Sequence, residues 1–197
     1  MNTIVYLHGF RSSPASVKAV QFREAVAGLP ESHRPRLHVP NLAFSPAKAV
    51  NGVAAWVEEH AAPAALTFIG SSLGGYYATH LAERFGARAV LINPSIRPFA
   101  SLQAWRGVQT NMHTGATFEV TAAHFDELTA MRVTSITRPE RYFLLVESGD
   151  DVLDYREAVA FYGGAYQYLR GGGDHTFVDF VPQIPALLRF AGVKSKT

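Results

Sequence analysis

The sequence predicts an α/β fold of three layers, in which a mostly parallel sheet of about six strands lies between helices and carries a short cap segment. Three observations predict it. Short apolar runs alternate with helical patterns along the chain. The runs are almost continuously apolar, as strands buried on both faces must be. Residues that cap helices or close turns punctuate the boundaries. With 197 residues, 48% of them hydrophobic and 17% charged, the chain is long and apolar enough to bury a full core. One domain over residues 1–197 is expected.

The first strand is read over Thr3–His8, and Ser13-Pro14 then places a cap residue before a proline at a first helical position. A second strand is read over Arg36–Val39. Ser45-Pro46 repeats the cap-proline signal, and Val50, Val53, Ala54 and Val57 follow at helical spacing. A third strand, Leu66–Ile69, runs into a helix over Leu73–Phe85, which Gly86 can stop in a left-handed conformation. Arg88–Ile92 is the fourth strand. From Pro94 to Pro139 the rhythm breaks, with no clear strand and a mixed, polar pattern. A long excursion between core strands is often functional, so 94–139 is expected to be a cap or lid. Its Phe99, Leu102, Trp105, Phe118 and Phe125 are candidates to line an apolar pocket. Strands over Tyr142–Val146 and Ala165–Leu169 follow, with helices over Val152–Phe161 and Phe177–Phe190. Pro182 and Pro185 are expected to shift or break the last helix.

The third strand ends in Gly70-Ser71-Ser72-Leu73-Gly74, which is Gly-x-Ser-x-Gly between an apolar run and a helix. A serine nucleophile on a sharp strand-to-helix turn requires that layout. Glycines flank Ser72 because side chains there would meet neighbouring backbone. The Leu73 amide, at the helix start, would face a developing oxyanion. Taken alone, the pattern also fits a Gly/Ser-rich turn without chemistry. A serine hydroxyl needs a base, and the base needs an orienting acid. Two late strands run into Glu147-Ser148-Gly149-Asp150-Asp151 and into Gly171-Gly172-Gly173-Asp174-His175. They supply the acid and then the histidine, in the order Ser, Asp, His. Asp150 fits the acid best because it comes first after Gly149. Asp151 is the next choice, and Asp154 reads as a helix cap. The first strand ends in His8-Gly9-Phe10, whose Phe10 amide can complete an oxyanion hole with that of Leu73. His8 reads as a brace for that loop, and Asp174 as a turn residue.

Composition removes other classes. There are no cysteines, so disulfides, thiolate zinc sites and a cysteine nucleophile are excluded. The net charge is +2, from 18 basic and 16 acidic residues without a basic run, which gives no nucleic-acid footprint. Gly70 to Gly75 has P-loop spacing, but Tyr76-Tyr77 stands where lysine is needed. His-x-His and His-Glu-x-x-His are absent, so no metal site is expected, and no cofactor. No apolar run is long enough for a membrane span, and the N-terminus lacks signal-peptide features. A cytoplasmic protein is expected. Lys194-Ser195-Lys196-Thr197 reads as a solvated end.

Five segments together resemble a known group. They are His8-Gly9-Phe10-Arg11-Ser12-Ser13-Pro14, Gly70-Ser71-Ser72-Leu73-Gly74-Gly75-Tyr76, Asn93-Pro94-Ser95-Ile96-Arg97-Pro98, Gly149-Asp150-Asp151-Val152-Leu153-Asp154-Tyr155 and Gly172-Gly173-Asp174-His175-Thr176-Phe177. They look like the YqiA/YcfP family of small α/β-hydrolase-fold esterases, over nearly the whole chain. The resemblance implies a compact bacterial carboxylesterase acting on acyl esters or fatty acyl-CoA thioesters, with Ser72 as nucleophile, Asp150 as acid and His175 as base. The chain departs from the family at His113 and Ala116, where tyrosine and glutamate are expected, and this touches substrate contacts. The expected activity is ester hydrolysis on a small-molecule substrate. A thioesterase on the same triad is the enzymatic alternative, separable by kinetics on matched thioesters and oxygen esters. A non-catalytic binding or scaffold protein is the other, and it would have no need of the set Ser72, Asp150 and His175.

Overall fold

The computed structural model describes residues 1–194; 195–197, most of the expected solvated end, lie outside the described residues. Six strands form one all-parallel sheet: β1 (Thr3–Leu7), β2 (Arg36–His38), β3 (Leu66–Ser71), β4 (Arg88–Ile92), β7 (Tyr142–Glu147) and β8 (Tyr166–Arg170). Their spatial order is β2-β1-β3-β4-β7-β8. Alternation along each strand divides the core. Ile4 and Tyr6 face one side, packed with Ala19, Phe22 and Val26 of α1 (Val17–Ala27) and Phe180, Ile184, Leu187 and Leu188 of α7 (Phe180–Phe190). Val5 and Leu7 face the other, against Val50, Val53 and Val57 of α2 (Pro46–His60), Tyr77 and Leu81 of α3 (Leu73–Phe85) and Ala158 of α6 (Tyr155–Phe161). These are the three layers that the sequence pattern predicts.

The chain leaves β1, pairs β2 on one side of it and then β3 on the other. The strand order therefore reverses at the carboxyl ends of β1 and β3, where open α/β sheets form a crevice. Leu7 lies opposite Gly70 in that register, so the loops carrying Phe10 and Ser72 leave the sheet side by side.

Several boundaries differ from expectation. The Ser13-Pro14 signal closes a turn: Ser13 Oγ accepts from the Ala15 amide at 3.1 Å, and α1 begins only at Val17. By contrast, Ser45 caps α2 as read, accepting from the Lys48 amide at 3.2 Å. The helix expected from Val152 starts at Tyr155, because the Val152 and Leu153 amides donate to Asp150 instead of waiting for a helical first turn. The one expected from Phe177 starts at Phe180, because Phe177 has φ +58°. Pro182 falls in the first turn of α7, where no amide hydrogen is required, and Pro185 is accommodated inside the helix. The edge strand β8 is not buried on both faces: Tyr166 and Leu169 are exposed.

The excursion holds structure that its pattern hid. After a short helix, α4 (Pro98–Ser101), come an antiparallel hairpin of β5 (Gly107–Thr110) and β6 (Thr117–Val120), and then α5 (Ala122–Ala130). Each strand has only four residues; Thr117–Val120 alternates polar and apolar, but Gly107–Thr110 has a single large apolar residue, so the pattern does not announce a pair. The hairpin turn is organised by buried Asn111, whose Oδ1 accepts from the His113 and Thr114 amides. The same side chain donates to the Ser12 carbonyl at 2.7 Å, and the Met112 amide donates to the Arg11 carbonyl at 2.8 Å. Hairpin and β1–α1 loop are thus fastened to each other.

Candidate active site

Ser72 sits between β3 and α3 with φ +55° and ψ −121°, a conformation that non-glycine residues rarely adopt. Such a residue costs about 1–3 kcal/mol and persists only where its surroundings over-determine it. Here they do. Its amide donates to the Ile92 carbonyl at 3.0 Å, and its carbonyl accepts from the Gly75 and Ser95 amides at 2.9 and 3.1 Å. A Cβ on Gly70 would lie 2.2 Å from the Gly74 carbonyl oxygen, and one on Gly74 would lie 2.1 Å from that of Leu7. Only glycine lets the turn close and press against β1. A Cβ on Gly9 would lie 3.3 Å from Ser72 Cβ, a tight contact and not a clash, so the loop that carries Phe10 runs alongside Ser72. Among the described residues, neither the Phe10 nor the Leu73 amide donates to a backbone acceptor. His8 braces this loop: its Nε2 accepts from the Leu42 amide at 3.3 Å, and its Nδ1 lies 3.1 Å from the Gly9 carbonyl. Burial holds its pKa below the ordinary 6.5, which keeps Nε2 an acceptor at neutral pH.

His175 Nε2 lies 3.0 Å from Ser72 Oγ, and His175 Nδ1 lies 2.8 Å from Asp150 Oδ2. The Asp150 side chain is only 2% exposed. Its other oxygen, Oδ1, accepts from the amides of Val152 and Leu153 at 2.9 and 2.8 Å. One carboxylate therefore turns the chain and orients the imidazole. Asp151 is exposed to solvent. Asp154 caps α6 through the Arg156 amide and pairs with the Arg156 guanidinium. Asp174 closes a turn by accepting from the Thr176 amide at 2.7 Å.

Sequence reasoning missed the residues that hold the His175 loop. Glu147, fully buried at the end of β7, accepts from the Arg170 guanidinium at 2.9 Å. It also accepts from the amides of Asp174, Val178 and Asp179 at 3.0, 3.2 and 3.3 Å. Asn93, buried at the end of β4, donates to the Asp174 and His175 carbonyls and accepts from the Glu147 amide. Gly173 has φ +74°, and a Cβ there would lie 2.0 Å from Glu147 Oε2. The signal for Glu147 was present: a lone carboxylate closes the apolar run Tyr142–Val146. Asn93 opens one of the five family segments, but nothing in that segment points to the His175 loop. Replacing Glu147 by leucine strands three amides and a guanidinium, so Glu147→Leu is expected to lose about 3 kcal/mol of stability. Urea unfolding checks this, and a variant within ~1 kcal/mol of wild type would refute the buried clasp.

A cavity of about 440 Å³ opens over Ser72 and His175, bounded by Gly9, Lys18, Met112 and His113. On the other side of Phe10 is a slot of only about 30 Å³ between Leu42, Phe44, Leu73, Tyr77 and Phe118. Phe44 and Phe118 stack across it with ring centres 4.1 Å apart. Of the aromatic and aliphatic residues expected to line a pocket, Phe118 lines this slot and Trp105 packs edge-on against Phe10. Phe125 is buried in the core, and Phe99 and Leu102 pack against it. Among the described residues, no helix is long and apolar enough to cross a membrane, and no group of three His, Asp or Glu side chains is arranged to hold a metal ion.

Solved structures share the fold. Alpha/beta hydrolase domain-containing protein 10 from mouse superposes with a TM-score of 0.74 at 16% identity, covering 96% of this chain and 89% of that one. The esterase domain of a Rhodothermus marinus protein gives 0.69 at 17% identity, covering 96% and 86%. Monoacylglycerol lipase from Paleococcus ferrophilus gives 0.67 at 12% identity, covering 98% and 95%. At such identities the likeness is one of fold, that of the α/β-hydrolases. A family model extends the likeness to sequence: UPF0227, described as an uncharacterised protein family, matches residues 3–192. The chain therefore belongs to UPF0227, the YqiA/YcfP family that its five motifs resemble.

Proposed function

We propose that the protein is a serine esterase that hydrolyses small acyl esters without a cofactor, through Ser72, His175 and Asp150. The observation that carries this reading is the unbroken chain from Ser72 Oγ to His175 Nε2 at 3.0 Å and from His175 Nδ1 to Asp150 at 2.8 Å. Ser72 Oγ attacks the acyl carbonyl carbon while His175 Nε2 takes the hydroxyl proton. Negative charge builds on the carbonyl oxygen, which the Phe10 and Leu73 amides hold. Each such donor is typically worth about 3–4 kcal/mol in the transition state. The intermediate collapses, the bond to the leaving oxygen breaks, and that oxygen receives the proton from His175. Water then attacks the acyl-enzyme, giving its proton to His175, and Ser72 departs as that proton returns. Asp150 keeps the imidazole in the tautomer with hydrogen on Nδ1 and stabilises its charged form.

Labelling with a fluorophosphonate, followed by a panel of esters and matched thioesters, tests the reading. An adduct on Ser72 and turnover of oxygen esters are expected. An adduct on Ser71, or none with a folded protein, would overturn the assignment. Faster turnover of thioesters would move the activity to thioester hydrolysis on the same residues.

Residues 94–139 cover the acyl side of this site in the same proposal. The support is Phe118, carried by the hairpin onto the slot beside the Leu73 amide. Phe118→Ala removes one wall of the slot and is expected to raise the rate on medium-chain relative to short-chain esters several-fold. An unchanged ratio would assign Phe118 to packing alone.

A further inference from the structure

We propose that the cavity between α1 and the His175 loop is a subsite for a carboxylate or phosphate group on the leaving half of the ester, read by Lys18 and Tyr6. The inference rests on the esterase reading for its placement, but the subsite stands on its own residues.

The cavity joins the reacting atoms directly: Ser72 and His175 share its wall with Tyr6, Ser16, Lys18 and Gln21. No Asp or Glu lines it among the described residues. Lys18 is the second residue of α1, at the positive end of the helix dipole, where a cation is disfavoured. Burial also pushes its pKa down, against the pull of Asp174, Glu147 and Asp150. It forms no ion pair among the described residues; Glu147 is taken by Arg170 and Asp150 by His175. Its one protein acceptor there is the Thr176 carbonyl, at 2.6 Å, which leaves two ammonium hydrogens for a ligand. Its charge sits in the field of Asp174, Glu147 and Asp150, yet among the described residues it makes a direct ion pair with none of them.

Tyr6 is the second observation. It is the fourth of the five residues of β1, has no solvent exposure, and its hydroxyl has no hydrogen-bond partner among the described residues. Burial raises its pKa, so it remains a donor at neutral pH. Phenylalanine would fill the same core position without an orphaned hydroxyl. The Ser16 side chain likewise makes no cap bond to α1. Lys18, Tyr6 and the helix-cap residue Ser16 thus border one cavity, and their side chains are a donor set that suits an oxyanion.

The chemistry fixes which half of the ester lies there. His175 Nε2 must hand its proton to the leaving oxygen, so the leaving group departs on the His175 side. That side is this cavity, walled by His175 and Thr176, while the aromatic slot flanks the Leu73 amide and suits the acyl half.

The test compares kcat/KM for two matched pairs of butyryl esters. One pair is O-butyryl glycolate against neutral O-butyryl glycolamide. The other is 2-(butyryloxy)ethyl phosphate against 2-(butyryloxy)ethyl methyl ether. The wild type is expected to prefer at least one anion, and the preferred pair identifies its source as carboxylate or phosphate. In Lys18→Met the anion-to-neutral ratio is expected to fall about tenfold or more, with Lys18→Arg recovering part of it and Tyr6→Phe lowering it a few-fold. The ratio cancels any general loss through the Lys18 bond to the His175 loop. No anion preference in the wild type, or the same ratio in Lys18→Met, overturns the proposal. If no ester is turned over and Ser72 is not labelled, the esterase reading has failed by itself. Equilibrium binding of glycolate and 2-hydroxyethyl phosphate, against ethylene glycol, then decides the subsite. Anion binding weakened in Lys18→Met supports it, and no anion binding overturns it.

Discussion

Purified Ser72→Ala is expected to lose ester hydrolysis by roughly 10³-fold or more in kcat while remaining as stable as the wild type. In the proposed mechanism the loss follows from removal of the attacking oxygen. In the same mechanism the Phe10 and Leu73 amides and the bound geometry would leave residual catalysis only. The unchanged stability follows from the turn. Alanine at position 72 would keep φ near +55°, and the bonds that hold the turn use the backbone amide and carbonyl of residue 72, not its hydroxyl. Steady-state kinetics on one good ester, paired with urea unfolding, reads both quantities. Near-wild-type turnover would sink the mechanism. Lost turnover with a large loss of stability would mean that the hydroxyl supports the fold, and inactivity would then say nothing of chemistry.

The second large effect is at Asp150. Asp150→Asn is expected to lower kcat by up to about 10⁴-fold, because an amide donating to Nδ1 favours the tautomer with hydrogen on Nε2, the atom that must accept the serine proton. The amide oxygen of asparagine can still accept from the Val152 and Leu153 amides, so the entry into α6 should survive. Asp151→Asn and Asp154→Asn serve as controls. The first is solvent-exposed, and the second caps a helix and pairs with Arg156, so each should cost far less in kcat. If Asp151→Asn were the damaging substitution while Asp150→Asn stayed active, the acid would be misassigned even with Ser72 and His175 in their roles.

The parts legible in the sequence were those whose signals are local. Leu66–Ile69 running into Gly70 and Ser72 shows a buried strand meeting a turn, and the structure has β3 and α3 there. Ser45-Pro46 shows a cap because a side chain three residues from its partner amide needs no tertiary context. Ser13-Pro14 is the same signal, yet there the serine bonds two residues on and closes a turn, in a loop that Asn111 of the hairpin also holds through the Ser12 carbonyl. Asp150, Asp151 and Asp154 could be ranked by sequence, but their separation rests on which carboxylate meets an imidazole 25 residues away. Glu147 and Asn93 were hardest to find. Their partners are backbone groups on another loop, and backbone leaves no residue-type pattern. Hairpin strands β5 and β6 were hidden because their register depends on Asn111 and on contacts to Arg11 and Ser12, nearly 100 residues earlier.

The separation of Ser72 from His175 by 103 residues along the chain also bears on how the molecule folds. β1 cannot complete its pairing until β3 exists, and β7 and β8 must dock before the His175 loop has Glu147 and Asn93 to hold it. An all-parallel sheet closes long loops before its contacts compensate their entropy, which makes it slow to form. With Ser72 as the proposed nucleophile, its reactivity would therefore be a clock for the final step. In refolding from urea, helical signal should return first, and the capacity of Ser72 to take up a fluorophosphonate should return last. Aliquots quenched with that reagent would count native molecules among collapsed ones at each time point.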